Sequence, residues 1–110
     1  MTAVVRAGDL RTRVIIETQV RQPDGQGGWE VAWTALAEVW AGIWPRSASE
    51  VVQHDRAAGT ATHDIWLRYR GDIKPEMRIT AGTRVFGILG VMDVDGRKRW
   101  LKCIVEERDL

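Results

Sequence analysis

From Leu10 onward the chain alternates with a period of two. Leu10, Thr12, Val14, Ile16, Thr18 and Val20 share one face, and Arg11, Arg13, Ile15, Glu17, Gln19 and Arg21 share the other. Side chains of a strand point alternately to its two sides, so this spacing predicts a strand with one apolar and one mostly charged face. Pro23-Asp24-Gly25-Gln26-Gly27-Gly28 then interrupts it. Proline fixes φ and glycine admits positive φ, so this stretch reads as a hairpin loop. A second extended stretch, Trp29 to Trp44, is rich in Trp and Val, residues that suit strands. It is long for one strand, which predicts a kink or bulge near Thr34 to Ala37.

Pro45 ends that stretch, and Ser47-Ala48-Ser49-Glu50 matches a capping box. A short helix from Ala48 to about Ala58 is expected, with Gly59 as its C-terminal cap. Strand patterns resume at His63 to Tyr69, Met77 to Thr80, Arg84 to Val94 and Arg97 to Glu107, with Gly87 and Gly90 suggesting bends. Asp95-Gly96 predicts a two-residue hairpin turn. The sum is a mainly β chain: a small antiparallel β-barrel or sandwich of about six strands with one short α-helix. Residues 1–9 read as a flexible N-terminal arm, and 10–110 as a single domain, which the length of 110 residues suits.

Composition narrows the function. The chain is 45% hydrophobic and 28% charged, an ordinary globular balance. No apolar run is long enough to cross a bilayer as a helix, and the first residues lack the apolar stretch of a signal peptide, so no membrane partner and an intracellular origin are expected. A net charge of +1 builds in no long-range attraction to nucleic acid. Cys103 stands alone, so it can form no intrachain disulfide.

Motifs for chemistry fall short of their standards. Asp93-Val94-Asp95-Gly96 opens like a calcium loop, but Gly comes fourth and the twelfth position is Ile104. The Asp24–Gly28 glycines are followed by strand-like Trp29-Glu30-Val31, not the Gly-Lys-Ser/Thr of a phosphate loop. His54-Asp55 and His63-Asp64 offer metal-ligand types with no spacing that unites them. Cys103, between strand neighbours Lys102 and Ile104, reads as a buried inert thiol. No catalytic residue, metal or cofactor is assigned, and the chain is not expected to be an enzyme. Basic residues near Trp66 and Trp100 leave a small single-stranded nucleic-acid-binding barrel as the alternative reading.

Six tryptophans are the compositional surprise. Trp33 is expected in the core, with Trp40 and Trp44 on the opposite parity. Large apolar groups on both faces imply two covers, and in so small a domain the second is a neighbouring subunit or a second layer.

The order of these segments resembles the phage head–tail joining family, the head-closure or stopper proteins of phages, prophages and gene transfer agents. Gly8-Asp9-Leu10-Arg11-Thr12-Arg13-Val14 is similar to the family's opening, and Asp24-Gly25-Gln26-Gly27-Gly28-Trp29 to its glycine-rich hairpin. Val39-Trp40-Ala41-Gly42-Ile43-Trp44-Pro45 resembles its Trp-Ala strand, and Thr62-His63-Asp64-Ile65-Trp66-Leu67-Arg68-Tyr69 its next one. Met77-Arg78-Ile79, Arg84-Val85-Phe86-Gly87-Ile88 and Asp95-Gly96-Arg97-Lys98-Arg99-Trp100-Leu101 follow in the same order.

The resemblance implies a β-barrel subunit in a homo-oligomeric ring, six-fold or alternatively twelve-fold. The ring would sit between a portal or adaptor ring above and a tail terminator or tail tube below. It would retain packaged double-stranded DNA through non-specific contact and offer the tail its docking surface, in a particle assembled in the bacterial cytoplasm. On this reading Arg46, Ser47, Glu50, Gln53, His54 and Arg56 belong to the channel or ring-interface segment. Asp24, Gly25, Gln26, Gly27 and Gly28 form the inter-subunit loop, and Trp40 and Trp44 are interface aromatics.

Overall fold

A computed structural model describes residues 6–47 and 60–108. Six antiparallel strands close into a barrel in the order β1-β2-β3-β6-β5-β4. They are β1 (Thr12–Pro23), β2 (Trp29–Pro45), β3 (His63–Arg68), β4 (Arg78–Ala81), β5 (Arg84–Asp93) and β6 (Trp100–Arg108). The expected helix from Ala48 lies outside the described residues. Of the segment read as an arm, Ala7–Asp9 form a 3-10 turn that leads into the buried Leu10.

The inward side of each strand follows the period-two pattern. Val14, Ile16, Ala41, Ile65, Leu67, Ile79, Phe86, Cys103 and Val105 have no exposed area and belong to one continuous core. Each large member stabilises the fold by about 1.5–3 kcal/mol relative to exposure. Closure removes the free sheet edges that a six-stranded open sheet would leave.

Two bulges shape this barrel. Ile16 pairs with Ala37 and Glu17 with Ala35, so Leu36 is the extra residue of β2, inside the span where a kink is expected. A second irregularity falls between Ile88 and Gly90, which pair with Val105 and Ile104, where glycine suggested a bend. The last hairpin differs from expectation. Its loop runs from Val94 to Arg99 and the strand starts at Trp100, so Asp95-Gly96 is not a two-residue turn. Two carboxylates stabilise the wider loop instead. Asp93 accepts from the Lys98 amide at 3.1 Å, and Asp95 from the Arg97 amide at 3.0 Å. Lys98 takes a φ of 58° to make that geometry.

β1 and β2 are longer than the barrel needs. β1 pairs with β4 only through Ile15–Glu17, and β2 with β3 only through Ala41–Pro45. Thr18–Pro23 and Trp29–Thr34 therefore pair with each other alone. They project as a two-stranded ribbon, and the molecule measures 52 × 28 × 27 Å.

Candidate functional site

The described residues among those singled out from the sequence lie along β2 (Trp40 and Trp44) or at its two ends. Seventeen residues at about 3.3 Å each span roughly 55 Å, close to the long dimension of the molecule. The Asp24–Gly28 loop is the ribbon tip, and Arg46 opens the opposite end.

At the tip, Asp24 organises the turn. Its Oδ1 accepts the Gln26 and Gly28 amides at 2.7 and 3.0 Å. These bonds favour the carboxylate and lower its pKa. Gly25 and Gly27 have φ of 81° and 85°, conformations that cost little only for glycine. Beside the tip, Trp29 is 62% exposed and Val31 56%.

At the opposite end, both stems of the 46–60 segment are tied to the barrel. The Arg46 amide donates to the Thr62 carbonyl at 2.9 Å, and the Thr62 amide to the Val105 carbonyl at 2.8 Å. The Arg46 guanidinium pairs with Asp64 at 2.9 Å with both side chains largely shielded. The Thr60 amide donates to Glu106, and the Glu107 amide to the Thr62 hydroxyl. Ser47 lies on this stem, whereas Glu50, Gln53, His54 and Arg56 lie outside the described residues.

A polar cap closes the barrel there. The His63 ring meets Phe86 edge to face at 5.5 Å, and the Arg84 guanidinium lies 4.9 Å from the Phe86 centroid. Arg84 also pairs with Glu107 at 2.7 Å. Burial, with help from Arg84, lowers the His63 pKa despite the opposing pull of Glu107 and Asp64. His63 and Asp64 are adjacent strand residues facing opposite sides, so they do not converge as ligands. No group of three or more His, Cys, Asp or Glu suited to a metal occurs among the described residues. Burial pushes the Cys103 thiol up to about 12, which leaves it protonated and inert.

The tryptophans overturn one expectation. Trp33 pairs with Gln19, Trp40 with Arg13 and Trp29 with Pro23, and those three partners share the outer face of β1. The bulge at Leu36 shifts the parity, so Trp33 joins Trp29, Trp40 and Trp44 on the outside. Trp66 and Trp100 also face outward, alternating with inward Ile65, Leu67 and Leu101. All six indoles therefore lie outside the barrel core. Five carry a cation over the ring: Arg21 on Trp29, Arg78 on Trp33, Arg13 on Trp40, Lys102 on Trp66 and Arg68 on Trp100. Trp44 instead folds across Gly42 and meets Trp66 edge to face at 6.4 Å. A side chain at Gly42 would collide with that ring.

Trp40 is 51% exposed and borders a crook where β3 leaves the edge of β2. This cavity of about 580 Å³ is lined by Leu10, Arg13, Trp40, Arg68, Tyr69 and Arg70, among others. Sequence reasoning missed both the crook and the bare ribbon. The available signal was the excess length of the first two strand patterns over the later ones.

A family model described as phage head completion protein matches residues 5–108. The protein SF1141 from Shigella flexneri 2a, solved in solution, is 29% identical with a TM-score of 0.73, covering 94% of this chain and 96% of that one. A chain from the virion of a native gene transfer agent particle is 31% identical with a TM-score of 0.67, covering 90% and 96%. Comparison with curated protein sequences gives no match.

Proposed function

The chain belongs to the phage head completion protein family, and from that premise we propose that it closes the head as one subunit of a stopper ring. The ring lies at the capsid–tail junction, below a portal or adaptor and above the tail terminator or tail tube. The observation that carries this reading is the whole-chain similarity to a chain of a gene transfer agent virion. The fold suits the role. A rigid barrel carries the projecting ribbon at one end and the anchored stems of the 46–60 segment at the other, so one end can meet neighbours while the other faces the channel.

In this arrangement Arg46 and Ser47 begin the segment that blocks the DNA path, with Glu50, Gln53, His54 and Arg56 further along it. Its stems are fixed to the barrel wall, which lets a short segment resist a load along the channel. Contact with double-stranded DNA is non-specific and electrostatic. The Asp24–Gly28 loop, Trp40 and Trp44 serve contacts between subunits. A ring repeats one heterologous contact around a closed axis, and six-fold closure is the expected number.

Electron cryomicroscopy of particles from the cells that encode this chain tests the reading. A ring of this barrel below the portal is expected. Its absence from intact tailed particles would overturn it. Replacing residues 46–60 with a Gly/Ser linker should yield particles that leak DNA or lack tails. Normal infectious particles would remove the channel role.

A further inference from the structure

The ring reading requires two complementary surfaces on one chain, and the ribbon and the crook have the properties of such a pair. The ribbon tip is apolar with an acidic balance: Trp29 and Val31 are largely exposed, and Glu30, exposed between them, and Asp24 at the turn outnumber Arg21, which lies over the Trp29 ring. The crook is aromatic and basic, with Trp40 and Tyr69 beside Arg13, Arg68 and Arg70. Glu38 engages Arg13 and Asp72 engages Arg70. Arg68 lies over Trp100 and meets no carboxylate among the described residues. A volume of about 580 Å³ falls within the roughly 300–1,000 Å³ of sites that enclose a small ligand, enough for an indole and a neighbouring carboxylate.

Distance excludes contact within one molecule. Trp29 and Trp40 are separated by eleven residues of extended strand, roughly 35 Å. The tip of a chain therefore cannot reach its own crook, while a second copy can bring one to it. An isolated two-stranded ribbon is marginal in water, and its exposed Trp29 and Val31, neighbours on one face, are the kind of apolar surface that marks a binding site.

We propose that the ribbon tip of each copy docks into the β2–β3 crook of the next, with Glu30 paired to Arg68 and Trp29 lying against Trp40 and Tyr69. This inference rests on the ring reading and specifies its repeating contact. The ribbon enters tip first, so Trp29 and Glu30, on its two faces, meet opposite walls. The contact is heterologous and leaves one tip and one crook open at every step until the ring closes.

The test uses particles assembled with a Glu30→Cys/Arg68→Cys chain, oxidised and run on a denaturing gel without reductant. A ladder ending at the ring's copy number is expected, with none from either single variant. The buried Cys103 thiol supplies a silent background. In parallel, Glu30→Arg and Arg68→Glu should each lower the yield of tailed particles by at least about tenfold, and the two together should restore it to within about threefold. If the chain is present in particles but gives no ladder, or if the combined swap fails to recover, the contact is wrong and the head-closure reading stands. If the chain is missing from particles, both fall.

Discussion

The barrel and the ribbon are made from the same two strands under different conditions. In the barrel β1 lies between β2 and β4, and β2 between β1 and β3, and Val14, Ile16 and Ala41 have no exposed area. Beyond Glu17 the two strands pair only with each other, and the same alternation leaves Val20 37%, Val31 56% and Trp29 62% exposed. The difference shows what a period-two pattern encodes. It sorts side chains between two faces, and the surroundings decide which face is covered. In the barrel the cover is the opposite wall, whereas the ribbon has none among the described residues, and the proposed docking would supply it. The barrel should therefore carry the stability of the free chain, and the ribbon its capacity to assemble.

The largest test of that division is Phe86→Ala. Phe86 is fully buried in the core, and truncating a buried Phe costs about 3–5 kcal/mol. Urea unfolding should show this loss as one transition with an unchanged slope, since the ribbon has no separate core to keep it folded. A second transition that survives the substitution would make the ribbon an independent unit and undo the comparison.

Arg78→Gln sharpens the boundary between the regions. The Arg78 guanidinium pairs with Glu17 at 2.6 Å and lies 4.3 Å from the centroid of Trp33, fastening the ribbon base to β4. Loss of a partly shielded ion pair and a cation–π contact should cost about 1–2 kcal/mol. Hydrogen exchange should place the change in Thr18–Ala35, with core amides such as those of Ile65 and Val105 moving only with global stability. Equal acceleration everywhere would show that the ribbon base supports the barrel.

At the other end of the molecule, His63 makes a smaller, pH-dependent contribution. Its pKa is lowered in the fold by burial, so the unfolded chain binds the proton more readily. The sign follows: its contribution is fully present above the ordinary imidazole value of about 6.5, and it is lost as pH falls through the lowered folded value. His63→Gln should flatten the stability profile between about pH 7 and 5. The separate fall at lower pH, where Glu107 and Asp95 also have lowered pKa values, should remain. An unchanged slope between pH 7 and 5 would remove His63 from the polar cap's balance.

Much of the barrel was legible from residue order because its signals are local. Alternation from Leu10, the break at Pro23–Gly28 and the long Trp29–Trp44 stretch all depend on neighbours in sequence. The Trp33 error has a different origin. One extra residue at Leu36 inverts the parity of everything before it, and the inversion depends on pairing with Ile16 and Glu17. The two-residue turn at Asp95-Gly96 failed for a similar reason. Asp93 and Asp95 hold a wider loop through bonds to Lys98, Arg97 and Arg99 that a dipeptide signal does not contain. The crook was illegible because it joins residues near positions 10, 40 and 69, which meet only through the topology. The expectation that the ribbon loop and Trp40 serve assembly came from family resemblance, while the bare faces around them are visible only in the fold.

The smallest expected effect is the sharpest test of the comparison. Replacing both Trp29 and Val31 with Ser removes two of the most exposed apolar groups in the described molecule. By composition alone, deleting an indole and a branched aliphatic from a chain of this size should be ruinous. By the fold, neither residue belongs to the core, and Trp29 gives up only an exposed contact with Arg21 at 5.5 Å. The free protein should change in stability by no more than about 1 kcal/mol, at most about a third of the loss expected from Phe86→Ala. Thermal melts of the two variants, side by side, make the measurement. A loss above about 2 kcal/mol would mean that the ribbon's apolar groups stabilise the single chain, and that β1 and β2 extend past the barrel for folding. A loss within the expected bound leaves the solvent-facing indole without a role in the fold, as the docking proposed for the ribbon tip requires.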